Sequence, residues 1–182
     1  WTECTAISCT QRNHPLPACG LHVATPAASV GPAGGTAANG DPGARAQVQI
    51  PAGLLSAPSD VIIEVLQAGS SFPPPLGFVW ENGTRLVDIE LQPAPTFPLA
   101  PPGLTMTLPL VNALPAGTPL ALFVADPATG HLVPKLNGAG EQIVGSVDSD
   151  GASATFQGIV SLSLFVGLRA NSVPTAEAGA DQ

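Results

Sequence analysis

The sequence predicts an all-β protein, an antiparallel β-sandwich of about eight or nine short strands with a Cys-containing N-terminal extension. Three observations lead there. Glycine and proline supply 20 and 21 of the 182 residues, and they recur so closely that any helix of more than a few turns would be interrupted. Between them stand short runs of β-branched and aliphatic residues, several with strict polar–apolar alternation. No segment sustains a 3.6-residue apolar period over three turns, so the crossover helices that a parallel sheet requires are missing.

In chain order, Gln47-Val48-Gln49-Ile50 alternates as a strand with one buried face does and stops at Pro51, which lacks an N–H for the ladder; Gly53 then permits the backbone reversal that turns the chain back. Val61 to Leu66 is β-branched and bounded by turn residues. Phe78-Val79-Trp80 leads through Asn82-Gly83, a tight-turn dipeptide, into the alternating Leu86 to Leu91, and predicts a hairpin or a bent strand pair. Further strands are expected at Leu104–Leu108, Leu120–Val124, His131–Val133, Gln142–Val147, Ser153–Phe156 and Ile159–Val166, each broken from the next by a Pro/Gly turn.

Composition divides the chain into a Cys-containing segment over 1–29, a β-sandwich body over 30–169 and, over 170–182, a linker, the start of a further immunoglobulin-like repeat or a strand donated to a neighbour. Only 10% of the residues are charged and 45% are hydrophobic, which is the balance of a folding domain and not of a disordered one. Five Lys plus Arg against thirteen Asp plus Glu give a net charge of −8. That removes the basic footprint of a nucleic-acid binder or an anionic-membrane reader. No stretch of eighteen apolar residues is present, so no membrane insertion is expected.

Cys4, Cys9 and Cys19 all fall in the first nineteen residues, where aliphatics are scarce. In an oxidising compartment two of them would pair, and closing a loop of the Cys4–Cys19 size contributes about 3 kcal/mol in the chain-entropy model. The third is then free, buried or bonded to another chain. With His14 and His22 the cysteines could be read as soft metal ligands, but structural zinc sites show two close ligand pairs and this spacing does not, so no metal site is assigned.

Candidate sites in the body are few. Asp148 and Asp150, in Asp-Ser-Asp-Gly, have the oxygen-rich look of a calcium loop, although Asp and Gly are also ordinary hairpin formers; apart from calcium here, no cofactor is expected. Trp80, with Phe78 and Trp1 in a chain that has no tyrosine, is the candidate ligand-stacking residue. Asp88 and Glu90 alternate with apolar residues and are expected on a solvated face, and His131 at a turn exit. Asn82-Gly83-Thr84 fits the glycosylation acceptor pattern. No phosphate loop, Ser-His-Asp pattern or catalytic cysteine motif stands out, and no enzyme is expected.

Gly34-Gly35-Thr36, Val48-Gln49-Ile50-Pro51-Ala52-Gly53-Leu54-Leu55, Val61-Ile62-Ile63-Glu64 and the stretch Phe97 to Pro109 occur in an order that resembles the domain shared by zonula occludens, netrin-receptor and ankyrin proteins, over about three quarters of the chain. The resemblance implies a β-sandwich. Some such domains cleave themselves at a His-Phe-Ser step in the last strand; here the matching residues read Ser161-Leu162-Ser163, so the histidine base is replaced by Ser161 and no self-cleavage is expected. The tail from Val173 to Gln182 resembles the start of a polycystic-kidney-type immunoglobulin-like repeat of bacterial surface proteins. Together these imply a secreted or cell-surface structural module whose partners are neighbouring copies, adjacent immunoglobulin-like modules, or a glycan or surface protein.

Overall fold

The structure is a computed structural model that describes residues 26–41, 43–66, 73–126 and 128–170, with the backbone alone at 81 and 82. Cys4, Cys9, Cys19 and the tail from 171 lie outside the described residues. Twelve strands make up the described residues: β1 (Ala28–Val30), β2 (Gly35–Ala38), β3 (Gln47–Ile50), β4 (Ser59–Leu66), β5 (Phe78–Gly83), β6 (Leu86–Gln92), β7 (Leu104–Pro109), β8 (Pro119–Ala125), β9 (Leu132–Pro134), β10 (Val144–Val147), β11 (Ser153–Ile159) and β12 (Leu164–Ala170). The chain is all-β and antiparallel as expected. The strands do not, however, divide into two sheets of a sandwich; they form one twelve-stranded sheet in the order β1-β4-β6-β12-β8-β10-β11-β7-β3-β2, with β5 added to β12 and β9 to β8.

The single sheet comes from two long central strands that change partners along their length. β12 pairs with β6 at Leu164 and Phe165, then with β5 at Leu168 and Ala170. β8 pairs with β10 at its start and with β9 at its end. The two ends of the order, β1 and β2, are joined by a tight turn in which the Gly34 N–H donates to the Gly31 carbonyl at 2.9 Å. The sheet therefore curls until its edges approach, as a nearly closed barrel.

β5 and β6 are the bent pair and not a hairpin: Asn82 and Gly83 belong to β5, and both strands lie along β12. Thr84 is the corner. Its N–H donates to the Gly167 carbonyl at 2.8 Å, and its hydroxyl oxygen accepts the Gly167 N–H at 2.8 Å. The Arg85 and Val111 N–H groups bond across to the carbonyls of Pro109 and Gly83, and this ties the corner to the end of β7.

The expected strand Ile159–Val166 is two: Ile159 ends β11, β12 begins at Leu164, and the ladder shifts register between Phe156 and Ile159. Gly158, at φ 77°, sits in the shifted step, where an extra residue bends the strand. Gly53 has φ 79° and its N–H reaches the Pro32 carbonyl at 2.8 Å, which is the reversal expected after Pro51.

The main core lies inside the sheet and includes Val48, Ile50, Val87, Ile89, Leu104, Met106, Leu108, Leu120, Leu122, Phe156 and Phe165. A second cluster covers the other face of the central strands: Phe123, Leu164, Val166 and Leu168, with Leu86 and Leu132. Two buried faces explain why Leu120–Ala125 and Leu164–Leu168 are continuous apolar runs, while β3 alternates. Phe156 is fully buried, and a β-carbon added to Gly145 or Gly167 would collide with its ring. Both glycines leave the space the ring occupies.

Candidate functional site

The calcium-loop candidates form a self-contained turn between β10 and β11. Asp150 Oδ1 accepts the Ala152 N–H at 2.9 Å, and the Ser153 hydroxyl donates to Asp148 Oδ2 at 2.8 Å. The Thr155 hydroxyl adds a bond to Asp148 Oδ2 at 3.1 Å. The Ala152 N–H, ahead of the other donors, holds the Asp150 carboxyl below its ordinary pKa. The turn Asp126–His131 is built alike: Asp126 accepts the Ala128 N–H at 2.9 Å and the Thr129 hydroxyl at 2.8 Å, and the Ala128 bond leads in lowering its pKa. His131 is exposed at the end of that turn. Among the described residues no group of three or more His, Cys, Asp or Glu could hold a metal ion.

Trp80 is half-buried on β5 and packs against the second cluster beside Phe78. Phe78 meets Phe123 edge to face, with ring centroids 4.9 Å apart. Asp88 is not on a solvated face: it is buried at 3% exposure, because the alternation of β6 places it opposite Glu64 on one side and Leu164 on the other within the sheet. In the acceptor pattern Asn82-Gly83-Thr84, the Thr84 hydroxyl is buried and bonded to Gly167.

Sequence reasoning missed Lys135. It follows the short edge strand β9, its N–H donates to the Leu122 carbonyl at 2.9 Å, and its carbonyl accepts the Ile143 N–H at 2.8 Å. The backbone is thereby clamped between β8 and β10. The side chain is buried, with 7% of the residue exposed. Its Nζ lies 2.5 Å from the Ser161 hydroxyl and 5.6 Å from the centroid of the Phe165 ring. Burial alone lowers its pKa from 10.5 to about 8, since the charged form loses water and gains no carboxylate. The only signal in the sequence is a lone cation between Pro134 and Leu136, in a chain with five Lys plus Arg.

A groove of about 690 Å³ is lined by Asn137, Gln142, Ser146, Thr155 and Gln157 over glycines 145 and 158. Comparison with known proteins finds no family model that matches the chain and no matching curated protein.

Proposed function

We propose that the chain is an in-line structural module of a secreted or cell-surface protein, a stalk or spacer whose main role is not catalytic. One observation carries this reading: where the chain enters and leaves the body. Ala28 pairs with Val61, which pairs with Leu91; Val87, four residues back along β6, pairs with Phe165, and Ala170 lies five residues further along β12. At the rise of an extended strand the two ends stand about 30 Å apart along the strand direction. Neighbouring segments would leave from opposite ends, as in a string of modules. The resemblance of the tail to an immunoglobulin-like repeat and the clustered cysteines point the same way.

A filament subunit is the sharper form of the proposal. The strands β1, β2, β5 and β9 each have a single ladder partner among the described residues, and such edges can accept a strand from a neighbouring copy. The amide-lined groove favours a second reading, an adhesion module for glycan or a surface protein.

The test of the first reading is to pull the whole chain by its two ends in an optical trap. A load-bearing module opens in one cooperative step, with a length gain of roughly 450 Å, the extended length of residues 28–170 less the folded span. Gradual, featureless lengthening would overturn it. Specific retention on a glycan array would move the assignment to adhesion.

A further inference from the structure

A buried ammonium is costly unless a carboxylate or several acceptors surround it. Lys135 is buried, and its Nζ donates to the Ser161 hydroxyl oxygen at 2.5 Å. Ser161 sits half-buried in the loop between β11 and β12. That loop is fixed by the Leu99 N–H, which donates to the Val160 carbonyl at 2.7 Å. Both partners are thus held by main-chain bonds on separate elements, and a side-chain contact this short is set by the fold. With Ser161 only half-buried, the pair is not sealed from solvent.

We propose that Ser161 and Lys135 form a nucleophile–base pair that takes acyl groups from esters. Neutral Lys135 Nζ accepts the proton from Ser161 Oγ as the oxygen attacks the ester carbonyl carbon. The bond to the leaving alkoxide breaks, and the alkoxide departs with that proton as an alcohol. Ser161 is left as an acyl ester and Lys135 as a free amine. Water adding to the acyl ester by the same proton path releases the carboxylic acid and restores the serine. No redox partner is needed. The lowered pKa of Lys135 supports this, because burial with no charged neighbour leaves a useful fraction of free amine near pH 8. The inference goes beyond the in-line reading and does not depend on it.

The test uses the whole chain and p-nitrophenyl acetate, followed by intact mass and peptide mapping. The expected result is one acetyl group on Ser161, removed by hydroxylamine, forming faster as pH rises with a midpoint near 8. Ser161→Ala abolishes it and Ser163→Ala does not. Lys135→Met slows it by about a hundredfold or more, and Lys135→Arg, which keeps a cation but cannot accept the proton, does the same. Thermal melts confirm that each variant is folded. Acetyl stable to hydroxylamine on Lys135, an adduct elsewhere only, no adduct, or equal rates in folded Lys135→Met would each overturn the proposal.

Discussion

Lys135 lowers the stability of the fold at neutral pH. Its folded pKa, about 8, lies below the 10.5 of the unfolded chain, so between those values the unfolded chain binds more protons and stability rises with pH. Below about 8 the lysine is charged in both states and the full desolvation cost remains. Lys135→Met, which keeps the stem against Phe165, is expected to stabilise the protein at pH 7 by about 1–3 kcal/mol, allowing for partial solvent screening. The gain should shrink as pH rises through 8 towards 10.5, as denaturant titrations across that range would show. Thr84 acts in the opposite direction. Thr84→Val deprives the Gly167 N–H of the acceptor that it has at 2.8 Å and should cost about 1–3 kcal/mol, whereas Thr84→Ser keeps the hydroxyl and should recover most of it. The readout is the shift in denaturation midpoint at constant slope.

Among elements, β10, β11 and β12 meet at one ring. Phe156 of β11 fills the space above Gly145 of β10 and Gly167 of β12. Gly167→Ala should cost about 1–3 kcal/mol by overpacking, and Phe156→Leu about as much by leaving a void. The double variant should lose less than the sum, with a coupling of about 0.5–3 kcal/mol in a double-mutant cycle; additive losses would show that the ring and the glycine do not compete for the same space. These elements also show what the sequence could reveal. The alternation of Gln47–Ile50 and the stop at Pro51 were legible because one face of β3 is buried. β1 and β2 were not, since Ala-Ser-Val and Gly-Thr-Ala-Ala are too short to carry a periodicity, whereas β9 was expected one residue early, at His131–Val133. The break after Ile159 was hidden because the apolar run continues across it, and only the backbone at Gly158 marks the bend.

For the whole molecule, local pattern predicts strands but not how they close. A sandwich and a curled single sheet use the same runs. The difference lies in β8 and β12, whose continuous apolar residues are buried on both faces and whose partners change midway. The candidate site was still less legible. The carboxylates of Asp148 and Asp150 stood out by composition and are bonded within their own turn. Lys135 and Ser161, 26 residues apart, are brought together only by the pairing of β8 with β12 and the clamp that follows β9. The pairings of β1 with β4, β4 with β6 and β6 with β12 put Ala28 and Ala170 at opposite ends of the body, and the proposed in-line role rests on that placement. Spin labels introduced at those two positions as non-natural amino acids, leaving the cysteines untouched, would report it by pulsed dipolar spectroscopy. An in-line module gives a single distance of about 30 Å or more; a distance below about 20 Å would put both ends on one side of the barrel and overturn the in-line reading.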